Sequence, residues 1–213
     1  MSGIATMGQT TGVKAAAPAA KIYRAATFAD IDLVHARLGE VIAELPYYNA
    51  EFKAHETARL SKDFLAALIE ADPHHVMIFM LQGETAGFMI SGPELGTLWH
   101  YWTYLFPEKR QGTLGVRGIQ EFFKHWDNGR FHKVATYTMP GNDRAQTLME
   151  RFGYVFIVKL EQQLFGQDCL LYEHKLNKTV PGYDHSLRFG FRHRLRRKIK
   201  MLLARNKYFH AIV

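Results

Sequence analysis

The chain has 213 residues, 47% hydrophobic and 22% charged, which is enough apolar material to close one core and suits one domain with tails. A single cysteine, Cys169, excludes an internal disulfide and a cysteine-rich metal site and points to a cytoplasmic protein. No apolar run reaches the roughly 18 residues of a membrane-spanning helix, and no charged start leads into an apolar stretch as in a secretory leader.

The net charge of +7 is unevenly placed: residues 178–213 hold ten Lys or Arg and one acid, Asp184, so that segment carries +9 and the other 177 residues −2. Residues 1–20 are rich in Gly, Ala, Thr and Ser, which favours a flexible arm. Lys21 to Arg24 reads as a short strand, and Thr27-Phe-Ala-Asp30 has the form of a helix-starting capping box. Ile31, Val34, Leu38, Val41, Ile42 and Leu45 follow at helical spacing up to Pro46. A second amphipathic helix is expected from about Lys53 to Glu70, with Leu60, Phe64, Leu65, Leu68 and Ile69 on its apolar face.

The hydrophobic period then changes. Val76–Leu81 and Ala86–Ile90 read as a hairpin about Gln82-Gly83-Glu84, and Leu98–Leu105 as a third, aromatic strand. A helix through Val116, Ile119, Phe122, Phe123 and Trp126 comes next, then a strand over Lys133–Met139 and a helix over Asn142–Phe152. Tyr154–Leu160 and Cys169–Leu176 close the series. The predicted class is α/β, a mixed sheet in the order β-α-α-β-β-β-α-β-α-β-β.

The chemically informative segment is Leu105-Phe-Pro-Glu-Lys-Arg-Gln-Gly-Thr-Leu-Gly115, a strand that passes through a glycine turn into a helix. Such a turn leaves backbone N–H groups unpaired at the positive end of the helix dipole, which suits phosphate, and Arg110 adds a cation beside it. His74-His75, with His55 nearby, gives no metal site if the pair lies on a strand, because adjacent strand residues face opposite sides. No Ser-His-Asp elbow, P-loop or paired-cysteine signature occurs.

Phe106 to Gly115 resembles the acetyl-CoA loop of the GNAT N-acyltransferases. Tyr23-Arg-Ala-Ala-Thr-Phe-Ala-Asp30 resembles that family's opening segment, and Gly141-Asn-Asp-Arg-Ala-Gln-Thr-Leu-Met-Glu-Arg-Phe-Gly-Tyr154 its later helix. The resemblance spans residues 21–176 and implies acetyl-CoA as cofactor and an amine as acceptor, attacked directly. It implies a splay of strands four and five, with Leu105 near the thioester. Arg110, Gln111, Gly112, Thr113, Leu114, Gly115 and Val116 would hold the pyrophosphate, and Asn142 would join the cofactor site. Two departures stand out. Thr113 occupies the place of a glycine, where a Cβ could crowd the phosphate or block a backbone angle. Met149 stands where a Tyr commonly protonates the departing thiolate. Candidate catalytic groups are therefore Tyr137, with Tyr154 beside it as a replacement acid, and His100 or Tyr101 as base or relay.

Within residues 177–213, Arg188 to Arg205 place Leu195, Ile199, Leu202 and Leu203 at helical spacing amid positive charge. Such a basic amphipathic helix, spanning 186–205, suits packing on its own domain, a protein partner or self-association, and less readily lipid or nucleic acid. An alternative to the enzyme is a catalytically degenerate scaffold, since domains of this shape also resemble certain tailed-phage virion proteins. Acidic peptide and polyamine acceptors are not separable from sequence.

Overall fold

A computed structural model describes residues 22–110 and 112–182; the expected arm over 1–20, Gln111 and the 186–205 helix lie outside the described residues. In chain order the elements are β1 (Tyr23–Ala25), α1 (Ile31–Glu44), α2 (Ala50–Arg59), α3 (Lys62–Ala71), β2 (Val76–Leu81), β3 (Glu84–Glu94) and β4 (Thr97–Leu105). They continue with α4 (Leu114–Trp126), β5 (Lys133–Thr138), α5 (Asp143–Arg151), β6 (Val155–Leu164) and β7 (Gln167–Lys175). The seven strands form one sheet in the order β1-β2-β3-β4-β5-β7-β6. Every pairing is antiparallel except that of β4 with β5.

Local sequence explains most boundaries. Leu45 takes an extended conformation ahead of Pro46, as a residue before proline must, and so stops α1. At the start of α1 the Asp30 carboxylate accepts the Thr27 N–H at 2.7 Å and pairs with Arg24 at 2.6 Å. The Arg24 guanidinium above all holds this carboxyl down to about 2. The single helix expected over 53–70 is two. Ser61 accepts the Phe64 N–H and caps a new helix, α3, while Leu60 leaves helical geometry at the end of α2 and is buried. A serine with a cap available stabilises a break more than it stabilises a helix interior.

Both faces of the central strands are covered, which is why they read as almost unbroken apolar runs. Val76, Ile78, Phe88 and Ile90 pack under α1–α3, whereas Met77, Phe79 and Met89 face α4. Gly118 fits α4 to that second face: a Cβ there would lie 2.4 Å from the Phe79 ring. Among the described residues no helix is long and apolar enough to cross a membrane.

Candidate functional site

Strands β4 and β5 pair only through Leu98–Val134 and Trp99–Ala135. Beyond that point β4 runs on to Leu105 and β5 to Thr138 without pairing each other, so a wedge opens in the middle of the sheet. A bulge lies beside the divergence. Ser91 opposes His100 and Ile90 opposes Trp102, which leaves Tyr101 as an extra residue on β4. Bulges bend and over-twist the strand that carries them, which turns β4 away from β5. Near the apex the Thr136 hydroxyl donates to the His100 carbonyl at 2.9 Å.

At the wide end of the wedge β4 leads through Phe106 to Arg110 and the glycine turn into α4. The first N–H groups of a helix have no intrahelical acceptor; Thr113 at the cap gives them no side-chain bond, and the first turn carries no acid. Gly112 has a φ of +54°, which favours glycine, and open space where a Cβ would stand. Thr113 has a φ of −102°, an ordinary angle for any residue, and its side chain is exposed. Arg110 is exposed, and its Nε donates to the Leu105 carbonyl at 3.0 Å, which fixes the guanidinium beside the turn. Arg117 follows one turn into the helix. The backbone donors, the open glycine and the lack of an acid fit a diphosphate.

At the other side of the wedge lies a cavity of about 360 Å³. Its walls come from α2 (Phe52, Glu56, Arg59), β4 (Trp99, Tyr101, Trp102), Tyr137 of β5 and the β6–β7 hairpin. Glu56 is buried, receives Arg59 at 2.6 Å and accepts the Trp102 Nε1–H at 2.9 Å. The Arg59 guanidinium lies 4.6 Å over the Tyr101 ring, and the Tyr101 hydroxyl donates to Glu94 at 2.8 Å. The hairpin is tied to α2 by Gln167, which accepts the Asn49 N–H and donates to the Tyr47 carbonyl.

The candidate catalytic residues converge on this junction but with different surroundings. Tyr137 lies two residues past the last β4–β5 pair, half-buried, with its ring 4.7 Å from Trp99; burial pushes its hydroxyl pKa up. Tyr101 is engaged with Glu94, and burial first, then that carboxylate, raises its pKa. His100 faces the α4 side, flanked by the Tyr154 hydroxyl at Nδ1 (3.1 Å) and the Thr103 hydroxyl at Nε2 (2.5 Å). Desolvation pushes this imidazole down to about 4, so it is neutral at pH 7. A neutral ring has one donor and one acceptor nitrogen, so one hydroxyl donates to it and the other accepts. Tyr154 is buried in this chain of contacts.

Asn142 sits past the end of β5, where its side chain accepts the Ala145 N–H at 3.2 Å and caps α5. Met149 packs into the cluster under α4 and α5. Sequence reasoning missed Glu56, Arg59, Glu94 and Trp99, for which only proximity in space gives a signal. A different group draws on a histidine that the sequence set aside. Pro73–His75 is a 3-10 turn rather than a strand, and Asp72, His74 and His125 bring ligand atoms within 4.8 Å of one another. His74 and His125 stack at 3.8 Å, and Arg130 pairs with Asp72, which offsets the negative charge a divalent cation would seek.

No protein-family model and no curated protein matches the sequence significantly. Solved structures do match the fold. A ribosomal-protein-alanine N-acetyltransferase from Brucella melitensis is 18% identical with a TM-score of 0.59, over 73% of this chain and 100% of that one. A GNAT-superfamily phosphinothricin acetyltransferase from Sinorhizobium meliloti, in complex with acetyl-CoA, is 14% identical with a TM-score of 0.58, over 78% and 97%. An N-acetyltransferase from Staphylococcus aureus is 15% identical with a TM-score of 0.57, over 73% and 98%. At such identities it is the fold that is shared: the described residues of this chain adopt the GNAT acetyltransferase fold.

Proposed function

We propose that the chain is an acetyl-CoA-dependent N-acetyltransferase that passes an acetyl group to an amine by direct attack. The observation that carries this reading is the wedge between β4 and β5, with the phosphate-suited turn opening on one end and the aromatic cavity on the other. Residues 110–116 would hold the pyrophosphate, Leu105 would lie near the thioester, and Asn142 would join the cofactor site. Acetyl-CoA supplies an activated thioester. The cavity aims the amine at the gap, so that positioning does much of the work. As the N–C bond forms and the C–S bond breaks, the amine nitrogen must lose a proton and the thiolate must gain one. His100, neutral at pH 7, serves as the relay for the first, and Tyr137 donates the second. Tyr101 orients the cavity through Glu94, since its own proton is already engaged.

The test is release of free thiol from acetyl-CoA across a panel of amines, read beside thermal melting in millimolar CoA. Binding at about a hundred times Kd stabilises the fold by about 2.7 kcal/mol. Wild type is expected to melt higher with CoA, and Gly112→Asp to lose that shift, while Gly112→Asn, which makes the same backbone demand without charge, keeps part of it. Tyr137→Phe should reduce turnover by about 10²–10⁴-fold if its hydroxyl is the acid. Absence of any CoA-dependent shift in wild type would overturn the reading.

A further inference from the structure

The cavity beside the wedge has an uneven charge and an unusual lining. Its walls carry two carboxylates, Glu56 and Glu94, against one guanidinium, Arg59. The guanidinium is spent within the wall: it forks onto Glu56 through Nε (3.0 Å) and Nη2 (2.6 Å) and covers the Tyr101 ring. Glu56 is spent as well, because its second partner is the Trp102 indole. Glu94 differs. It is exposed at the mouth, and its one hydrogen bond comes from the neutral Tyr101 hydroxyl. The nearest cation is Arg59, over the Tyr101 ring and already forked onto Glu56, and the cavity that Glu94 borders is lined by aromatic pairs, Trp99 against Tyr137 at 4.7 Å and Tyr48 stacked on Phe52 at 4.2 Å. Ring faces carry negative potential and attract cations, most strongly where water is displaced.

From this geometry we infer that the acceptor is a small diamine or polyamine, with the attacking nitrogen at the wedge and a second, protonated nitrogen held at the mouth of the cavity by Glu94. The inference rests on the N-acetyltransferase reading and narrows its substrate. An acidic peptide fits poorly, because the cavity's cation is already neutralised and a carboxylate brought near Glu94 would be repelled. A simple monoamine would leave the Glu94 end unused. The volume of about 360 Å³ lies at the small end for ligand pockets, which suits a flexible chain of a few carbons better than a folded peptide.

Three probes of equal length decide the matter: 1,5-diaminopentane, pentylamine and 5-aminopentanoate. With full-length protein and acetyl-CoA, kcat/KM for the diamine should exceed that for pentylamine by about 10-fold, and 5-aminopentanoate should be the poorest, a spread equivalent to at least one decade of differential binding. In Glu94→Gln the ratio of diamine to pentylamine should fall to about one, with the loss in KM rather than kcat. Equal use of diamine and pentylamine, or preference for the aminocarboxylate, would overturn the inference while leaving the transferase intact. If no amine is acetylated, the enzymatic reading fails, and calorimetry of 1,5-diaminopentane on wild type and Glu94→Gln still tests the site. Binding lost in the variant supports the cation site, and no binding to wild type refutes it.

Discussion

Helices α4 and α5 lie on the same face of the sheet, yet they are anchored in different ways. Helix α4 buries Leu114, Gly118, Ile119, Phe122 and Trp126, whereas α5 has no buried residue and is held mainly by its ends. Asn142 caps it, Gln146 donates to the Pro140 carbonyl, and the Met149 carbonyl accepts from the Tyr154 N–H. The strand that follows α5 is the sheet edge and leaves Val155, Phe156, Ile157 and Val158 at the surface. The difference follows from what each helix has to do. On the proposed reading α4 needs a fixed axis, because backbone donors at a helix N-terminus bind a diphosphate only when aimed at it. The cap of α5 needs only to turn the chain at the end of β5.

Removing core from α4 is the severest way to probe that contrast. Phe122 is fully buried, so Phe122→Ala should lower the unfolding free energy by about 3–5 kcal/mol. Urea unfolding measures it, and a loss below about 1 kcal/mol would mean that α4 is not the anchored helix.

A pH titration of stability sharpens the picture at the far end of α4, where His75 stacks on Trp126 at 4.7 Å. Burial holds His75 down to about 4, below its ordinary 6.5. Above 6.5 the ring is neutral whether folded or unfolded, and stability is at its full value. Between 6.5 and 4 the unfolded chain takes up a proton that the native state refuses, so stability falls with pH; below 4 this group costs nothing more. The loss should approach about 3 kcal/mol, since each pKa unit is worth 1.36 kcal/mol. Unfolding curves at pH 7, 5.5 and 4 should show a shallower dependence in His75→Gln; identical slopes would place the cause elsewhere.

The smallest effect is expected on α5. Leu148 is 39% exposed, so Leu148→Ala should change stability by no more than about 0.5 kcal/mol. A loss comparable to that of Phe122→Ala would show that α5 carries core after all.

Much of this architecture could be read locally. Pro46 stopped α1 where a pre-proline residue must leave the helix, and the apolar run of β2 and the aromatic, nearly unbroken run of β4 read as strands. The glycine turn before α4 was legible because a strand, a glycine and a helix start follow one another within a dozen residues. The break between α2 and α3 was less so, since Ser61 fits a helix interior or a cap and only the burial of Leu60 chooses between them. Thr113 stands at the place of a glycine in the resemblance, and only the structure gives its φ of −102°, an angle that any residue adopts.

The strands, most of the helices, their order and the glycine turn before α4 could be taken from the chain alone, because they depend on neighbours a few bonds apart. It takes the folded sheet to fix that β4 and β5 part after Trp99, that Tyr101 is the bulged residue, and that Glu56, Glu94 and Tyr137 share one cavity. These facts depend on which strands pair and in what register. The free energy of that choice is spread over side chains far apart in the chain, so no local window of sequence contains it.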